Sequence, residues 1–297
     1  MSASLPRLWQ DISVPVIETK DLAYTYQGGT KPSILDVSTK IEKGEFVILT
    51  GPSGCGKTTL CRCFNGLIPH FYNGALQGTI KVAELDVKQR QIHELALHVG
   101  FVFQNPENQL FALSVEKDVA FALENLGMPR EEMWKRVEWA LKTVDAYEFR
   151  ERAPHELSGG QQQRVAIASV LAMQPDVMVL DEPTSFLDPL GAKKIFEVIA
   201  ELNRKLGITV VLVEHRLDLA AQYANHVVIM NEGKVILDGK PRDIFNLDEA
   251  RLVGVGIPKA TRLFQILKED GINLKDAPVS SEEAAGYLRS ILVHDRS

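Results

Sequence analysis

The sequence predicts an α/β fold, in which a parallel sheet has helices on both faces and an antiparallel β-subdomain lies at its N-terminal side. From residue 158 to 240, helical and strand patterns alternate and end in a hairpin, which is typical of a parallel sheet. The apolar runs VMVL (177–180) and TVVLV (209–213) have the length of buried strands. Residues 16–50 form short β-type segments separated by glycine and lysine turns, which predicts the antiparallel part.

The overall composition indicates a globular protein with a large core. The chain has 297 residues, of which 45% are hydrophobic and 24% charged, which fits one large domain with an appendage. Its net charge of −6 argues against sequence-independent binding of nucleic acid, and no nucleic-acid partner is expected. No run approaches the roughly 20 apolar residues of a spanning helix. The N-terminus lacks the pattern of a secretory signal, so we expect a cytoplasmic protein.

Three parts of the chain are distinguished by their patterns. A main domain is predicted over 16–240, and within it an inserted helical subdomain over about 105–170. Residues 241–297 are helical in pattern but broken by GVGIP (254–258) and again over 270–278, which predicts a small C-terminal subdomain and a possible dimer contact. Three closely spaced cysteines are expected to be reduced thiols.

A phosphate-binding loop is predicted at GPSGCGKT (51–58). It follows the strand FVILT and precedes a helix, which is the context that this pattern requires. Its glycines let backbone N–H groups wrap phosphates at a helix N-terminus. Lys57 is expected to reach the β- and γ-phosphates, and the Thr58 hydroxyl to bind Mg²⁺. The predicted nucleotide-binding residues of this segment are Gly51, Pro52, Ser53, Gly54, Cys55, Gly56, Lys57, Thr58 and Thr59.

The second half of the predicted site is VMVLDEP (177–183). Asp181 and Glu182 emerge at the carboxyl end of a buried strand, where α/β sheets place their ligands. Asp181 is expected to hold Mg²⁺ through water, and Glu182 to act as the general base on the attacking water. Two acidic residues after a strand are common in loops and are weak evidence for a site by themselves. Together with the phosphate-binding loop upstream, they become strong evidence.

A second anion-binding helix start is predicted at LSGGQ (157–161). Ser158 fits an N-cap, and Gly159 and Gly160 are expected to precede the helix QQQRVAIASVLA, which begins at Gln161. Since the chain already has one phosphate-binding loop, a second phosphate-binding segment requires an explanation. The simplest reason is a phosphate presented by a second subunit, whereas a plain N-cap would explain only the serine.

With these motifs in this order, residues 16–240 resemble the ABC transporter ATPase family. The resemblance implies that Tyr26 stacks on adenine, that Gln104 belongs to the Q-loop and contacts Mg²⁺ and water, that Asp188 belongs to the D-loop, and that His215 is the switch histidine. It also implies a head-to-tail pair of subunits with ATP between the phosphate-binding loop of one and LSGGQ of the other. The pair is a homodimer or a heterodimer with a paralogous ATPase. Arg216 departs from the family pattern, since many relatives have Asp there.

Within the family, NPENQLF (105–111) and the segment beginning at Gly254 look like ATPases of energy-coupling factor importers. That resemblance implies a site on the cytoplasmic face of the membrane, beneath a transmembrane coupling protein and a separate substrate-binding membrane protein. The substrate is then a vitamin or a transition-metal ion, and the sequence does not decide between them. An amphipathic 105–126 segment is equally compatible with a helix packed on the core.

Three other functions compete with this one. The chain could serve another class of ABC transporter. A soluble ABC ATPase acting on DNA or ribosomes usually carries a coiled-coil insert or two fused ATPase domains, and this chain has neither. A regulatory module that binds ATP without hydrolysing it is disfavoured by the presence of Glu182 and His215.

Overall fold

Two sheets form the framework of the computed structural model, which describes residues 14–272, 274 and 277–294. Residues 1–13, on which the expectation of no secretory signal rests, lie outside the described residues. The strands are β1 (Ile17–Tyr26), β2 (Ile34–Ile41), β3 (Phe46–Thr50), β4 (Gly74–Val82), β5 (Leu85–Asp86), β6 (Val99–Val102), β7 (Val177–Asp181), β8 (Thr209–Val213), β9 (His226–Asn231) and β10 (Lys234–Gly239). The helices are α1 (Lys57–Phe64), α2 (Leu67–His70), α3 (Ile92–Leu95), α4 (Val115–Asn125), α5 (Arg130–Thr143), α6 (Gly159–Leu171), α7 (Pro189–Leu206), α8 (Leu217–Ala220), α9 (Pro241–Ile244), α10 (Asp248–Leu252), α11 (Lys259–Glu269) and α12 (Ser281–His294).

The larger sheet has the strand order β10-β9-β3-β8-β7-β6. All neighbouring pairs from β9 to β6 are parallel, and β10 pairs antiparallel with β9 in the predicted hairpin. Every residue of β3, β7 and β8 is buried, because helices or strands cover both faces. The predicted α/β class is confirmed.

The smaller sheet is antiparallel, with the order β2-β1-β4-β5. It confirms the expected β-subdomain, although the sequence analysis assigned no element between residues 67 and 98, where β4, β5 and α3 lie. The pattern of β4 explains the omission, since only Ile80 and Val82 of its nine residues are buried. Such a strand shows too little apolar alternation to be read from sequence.

The parallel sheet separates two apolar clusters. Along β3, Ile48 packs with α6 and α7 on one face, and Val47 and Leu49 pack with α1 and the antiparallel sheet on the other. Alternate residues point to opposite faces of a strand, so one run of four apolar residues serves both clusters. The three cysteines are free and buried.

The remaining helices lie in two groups. Helices α4, α5 and α6 contact one another. In the C-terminal segment, Ala260 and Phe264 of α11 pack with Leu274 and Ala284 in a small apolar cluster of their own. The division into three parts stays a prediction. Among the residues that the structure describes, no helix combines the length and apolarity needed to cross a bilayer.

Candidate active site

The predicted site residues converge on one edge of the parallel sheet. Strands β3, β8, β7 and β6 are consecutive neighbours, and all four run in the same direction. Their carboxyl ends therefore lie side by side and lead into the phosphate-binding loop, His215, Glu182 and Gln104, respectively. Residues far apart in sequence thus meet because of the strand order alone.

The phosphate-binding loop requires glycine for reasons internal to the chain. Gly51 has φ +150°, and a Cβ there would lie 2.1 Å from the Met230 carbonyl oxygen. Gly56 has φ +108°, and its Cβ would lie 2.5 Å from the Ser33 carbonyl oxygen. A side chain at either position would be strained and would collide with backbone. The loop is therefore held tightly between β9, β2 and α1.

Lys57 points into this loop. Its Nζ donates to the carbonyl oxygens of Gly51 and Pro52, at 2.8 and 3.0 Å, and the residue is only 6% exposed. The ammonium group thus lies at the N-terminus of α1, where backbone N–H groups lack helical partners. A charge of this sign in this place favours a polyanion.

Thr58 and Asp181 join the two halves of the site. The Thr58 side chain makes a hydrogen bond with the Asp181 carboxylate, and Asp181 is 7% exposed. Burial raises the pKa of Asp181, although the Thr58 hydrogen bond opposes the shift. Among the described residues, no group of three or more His, Cys, Asp or Glu side chains could hold a metal by itself. The donor set of one hydroxyl and one carboxylate fits Mg²⁺, which takes few protein ligands and keeps water and phosphate oxygens.

Glu182 lies at the centre of a cluster contributed by three strands. Gln104 Nε2 donates to Glu182 Oε2 at 2.7 Å, and Ser185 Oγ donates to the same oxygen at 2.9 Å. His215 Nε2 lies 3.1 Å from Glu182 Oε1. The side chain of Glu182 is 22% exposed and that of His215 is 43% exposed, so solvent reaches both. Of the three residues predicted to be catalytic, Gln104 and His215 therefore both contact Glu182.

The backbone at Glu182 has an unusual conformation. Its φ of +49° lies in the left-handed region, which costs a non-glycine residue on the order of 1–2 kcal/mol. The Glu182 N–H donates to the Val213 carbonyl at 3.1 Å, which continues the pairing of β7 with β8 by one residue. The left-handed turn then directs the chain, and with it the carboxylate, across the end of the sheet.

Tyr26 lies at the end of β1, beside the helix that follows the phosphate-binding loop. Its hydroxyl lies 3.3 Å from Thr59 Oγ1 and accepts a hydrogen bond from Arg62 Nη1 at 3.2 Å. The rings of Tyr24 and Tyr72 meet the Tyr26 ring edge-on, with centroids 4.8 and 6.1 Å away. The ring is thus fixed next to the loop, and its stacking on adenine stays a prediction.

The LSGGQ segment and the D-loop face a different cleft. A cavity of about 330 Å³ is lined by residues 158–161 and by Asp188, and no residue of the phosphate-binding loop lines it. Helix α6 begins at Gly159, so both glycines lie in its first turn rather than before it. Gln161 Oε1 accepts a hydrogen bond from the Ser158 N–H at 2.9 Å. Asp188 caps α7 by accepting from the Gly191 N–H at 2.7 Å.

Three side chains that were not predicted from the sequence complete these contacts. Ser185 bonds to Glu182, as described above, and Thr184 Oγ1 donates to the buried carboxylate of Glu214 at 2.6 Å. Glu214 follows a buried strand at the carboxyl edge of the sheet, as Asp181 does, so the same signal was available for it. Nothing in the local sequence marks the two hydroxyl groups.

Comparisons with known proteins identify the family of this chain. The sequence profile described as "ABC transporter" matches residues 34–185. An energy-coupling factor transporter ATP-binding protein of Caldanaerobacter subterraneus is 39% identical over 278 residues, which cover 92% of this chain and 98% of the relative.

Two solved structures share the fold. One is cbiO1 of Clostridium perfringens, part of the ABC transporter complex cbiONQ, with a TM-score of 0.72 and 36% identity over 84% of this chain and 99% of that one. The other is a dimeric ATP-binding cassette in a post-hydrolysis state bound to ADP and Pi, with a TM-score of 0.66 and 31% identity over 75% of this chain and 98% of that one. The chain described here belongs to the ABC transporter family, in which it is an ATP-hydrolysing subunit.

Proposed function

We propose that this chain powers an importer of the energy-coupling factor type, by hydrolysing ATP at a site shared between two ATPase subunits. The observation that carries the hydrolytic part is the contact of Gln104 and His215 with the two oxygens of Glu182. This geometry presents one carboxylate, held from both sides, at the edge of the sheet that carries the phosphate-binding loop.

Glu182 is proposed as the general base. A base must lie within hydrogen-bond reach of the water that it deprotonates, and its orientation must be fixed. Gln104 and Ser185 hold Oε2, which leaves Oε1 to be shared between His215 and the attacking water. Thr58 and Asp181 would hold Mg²⁺, which supplies charge neutralisation on the β- and γ-phosphates.

A second subunit is proposed because the glycines of LSGGQ are not needed by this chain. A Cβ at Gly159 or Gly160 would meet, among the described residues, only Leu187 Cδ2 at 3.8 Å, which is an ordinary contact. Gly51 and Gly56 of the phosphate-binding loop, in contrast, are crowded by their own chain. Open space beside a helix N-terminus suits a phosphate from outside the chain. Both a homodimer and a heterodimer with a paralogue fit this arrangement.

A membrane partner is proposed for an apolar patch beside the Q-loop, formed by Phe111, Leu113 and Phe121. These residues are 65%, 84% and 45% exposed, and the two phenylalanine rings meet edge-on with centroids 4.8 Å apart. Asp118 accepts hydrogen bonds from the N–H groups of Phe111 and Ala112, at 2.9 and 2.7 Å, and so holds the loop that presents the patch. An exposed apolar patch of this kind is typical of a protein–protein contact.

The partners proposed are a transmembrane coupling protein and a substrate-binding membrane protein, which places the chain on the cytoplasmic face of the membrane. The names of the similar proteins support this, since they include an energy-coupling factor ATPase and a part of the cbiONQ complex. A vitamin and a transition-metal ion both remain open as substrate, because specificity would reside in the membrane protein. The C-terminal segment, with Leu252 84% exposed, is proposed as a further dimer contact.

The test is isolation of the chain from detergent-solubilised membranes of cells that express it with its neighbouring membrane proteins. We expect a transmembrane protein and a small substrate-binding membrane protein to co-purify with the wild type. Leu113→Asp should lose them, because it places a charge in the apolar patch, and should still bind ATP. Leu206→Asp, at an exposed leucine of α7 (45% exposed), is the matched control and should retain them. Recovery of ribosomes or nucleic acid instead would favour a soluble ABC ATPase.

A further inference from the structure

Glu214 is a buried carboxylate that makes three hydrogen bonds. It directly follows β8, is 3% exposed, and comes immediately before His215 in the chain. Its Oε1 accepts from the N–H groups of His215 and Arg216, at 2.8 and 2.9 Å. A carboxylate that accepts two consecutive backbone N–H groups fixes the turn that these residues form.

The other oxygen of Glu214 reaches the segment that carries Glu182. Thr184 Oγ1 donates to Glu214 Oε2 at 2.6 Å, and Thr184 is fully buried, with 0% exposure. Thr184 lies two residues after Glu182 and four before Asp188. The carboxylate of Glu214 therefore joins the turn of His215 to the segment between Glu182 and Asp188.

Arg216 makes a second link between the same two segments. Its Nη2 donates to the Leu187 carbonyl oxygen at 3.0 Å, directly before Asp188. Position 216 is the one at which the chain departs from the family pattern. The aspartate that many relatives have there could not donate a hydrogen bond to this carbonyl. The two links lie on either side of His215 in the sequence, at residues 214 and 216.

We propose that Glu214 and Arg216 are positioning residues for ATP hydrolysis, which lock the turn of His215 onto the segment from Glu182 to Asp188. The proposal rests on the roles proposed above for Glu182 and His215. With both links in place, His215 Nε2 stays within 3.1 Å of Glu182 Oε1, and a displacement of Asp188 is transmitted to the turn of His215. Neither link touches the phosphate-binding loop, so ATP binding does not depend on them.

The kinetic test uses Thr184→Val and Arg216→Met, each of which removes one of the two links and keeps a side chain of similar size. We expect kcat to fall by about 10- to 100-fold in each variant, because misplacing a base or its partner slows the chemical step. The affinity for ATP should change by less than about twofold, since neither variant removes a contact that binds ATP in the ground state. Thr261→Val is the matched control, because Thr261 is equally buried and donates to the Pro278 carbonyl at 2.7 Å, in the C-terminal segment. It should retain wild-type kcat.

The conservative variant Glu214→Gln gives a further check. The glutamine oxygen can still accept from the two N–H groups, and its amide can donate to the Thr184 hydroxyl in the reverse sense. Glu214→Gln should therefore keep kcat within a few-fold of wild type, whereas Glu214→Leu should lose most of it. Equal loss in both would show that the charge, and not the link, matters, and would overturn the proposal.

A spectroscopic test separates positioning from a general effect on folding. The ring signals of His215, one of seven histidines, are followed by NMR in protein labelled at histidine. Glu182→Gln should shift them in the wild-type background, because the two groups are in contact. In the Thr184→Val, Arg216→Met double variant, Glu182→Gln should no longer shift them, although the protein keeps its melting temperature to within a few degrees.

The outcomes distinguish this proposal from the one on which it rests. If Glu182→Gln and His215→Ala leave hydrolysis intact, the proposed catalytic roles fail. If these two abolish hydrolysis while Thr184→Val and Arg216→Met retain both full kcat and the Glu182-dependent shift of His215, the positioning role alone is overturned.

Discussion

At the scale of single residues, the site combines groups whose positions are held by hydrogen bonds within the chain. The ammonium of Lys57 is bound by carbonyl oxygens of its own loop, and Glu182 is held by Gln104, Ser185 and His215. Preorganised groups of this kind stabilise developing charge without having to reorganise during the reaction.

Lys57→Ala should weaken ATP binding. The change removes a buried cation that is proposed to bind the phosphates, where charge-assisted hydrogen bonds contribute about 1.5–3 kcal/mol, so the Kd should rise roughly 10- to 150-fold. Lys88→Ala is the matched control, because Lys88 also donates to a backbone carbonyl, that of Gly78 at 2.5 Å, in the antiparallel sheet. Titration with ATP measures both; an unchanged Kd for Lys57→Ala would contradict the assignment of the loop.

Glu182→Gln should separate binding from hydrolysis. The amide keeps the size of the side chain but cannot accept a proton, so turnover should fall by roughly 10²- to 10⁴-fold while ATP still binds. Trapped ATP should also hold two subunits together, which gel filtration would show. Glu94→Gln, at a carboxylate that caps α3, should leave turnover unchanged. Near-normal turnover by Glu182→Gln would remove this residue from the role of base.

At the scale of elements, one charged histidine ties the β9–β10 hairpin to the rest of the fold. His226 Nε2 lies 2.6 Å from Asp238 Oδ1, and its Nδ1 lies 2.9 Å from Glu45 Oε2. Thr39 Oγ1 of β2 donates to the other oxygen of Asp238, at 2.6 Å. Burial alone would lower the pKa of His226, but the hydrogen bonds and charges of Asp238 and Glu45 outweigh it and raise the pKa to about 9.

The stability of the fold should therefore fall in mildly alkaline solution. The pKa of an unfolded histidine is about 6.5, so the stabilising effect of His226 is fully present below that pH and is lost as the pH rises through about 9. We expect this histidine to contribute on the order of 2 kcal/mol to the free energy of unfolding at low pH. Urea denaturation measures it: His226→Gln should destabilise the protein at pH 6 and far less at pH 10. An equal destabilisation at both would refute the charged state.

At the scale of the whole molecule, two helix starts are proposed to bind phosphate, whereas the described residues offer one pair of candidate Mg²⁺ ligands. The first start is enclosed by its own chain, and the second opens on the cleft that also contains Asp188. Two copies arranged head to tail would complete both sites with the same surfaces, which is the economy expected of a symmetric pair.

The second helix start should matter for hydrolysis and not for folding. Gly160→Ala should leave the melting temperature unchanged or raise it, because alanine favours a helix and the new Cβ finds only Leu187 Cδ2 at 3.8 Å among the described residues. It should nevertheless lower hydrolysis, since the Cβ would occupy the space reserved for a phosphate. Gly286→Ala, in α12, is the matched control, because its new Cβ has no neighbour within 4 Å. It should change the melting temperature without changing the rate of hydrolysis.

Mixing experiments show whether the helix start acts on the opposite subunit. Ser158→Arg should bind ATP normally but block closure of the pair, so that hydrolysis and ATP-driven association fail together. In a homodimer, combining Ser158→Arg with Lys57→Ala gives mixed pairs in which one site has both lesions and the other has neither. Hydrolysis should then recover in part, unless turnover requires both sites at once. Wild-type activity of Ser158→Arg alone, independent of protein concentration, would show that LSGGQ is only a helix cap.

The sequence predicted those parts of the molecule whose cause is local. The loop at 51–58 was readable because its glycines, the preceding strand and the following helix are contiguous, and the alternation after residue 158 predicted the parallel sheet. The strand β4 was not predicted because only two of its nine residues are buried. The links from Glu214 to Thr184 and from Arg216 to Leu187 escaped because they join segments about thirty residues apart, and only the strand order brings those together.

The strand order also determines when the nucleotide site can form during synthesis. Strand β3, which leads into the phosphate-binding loop, pairs with β8 and β9, and both are made long after β3 has left the ribosome. Until residue 231 has been made, this strand, four of whose five residues are apolar, lacks a complete set of neighbouring strands. Pairing over such distances is slow, and unpaired apolar strands associate with one another. A chain interrupted before β9 would therefore contain every residue of GPSGCGKT. Its strand β3 would nevertheless have an unpaired edge, at which other unfinished chains could aggregate.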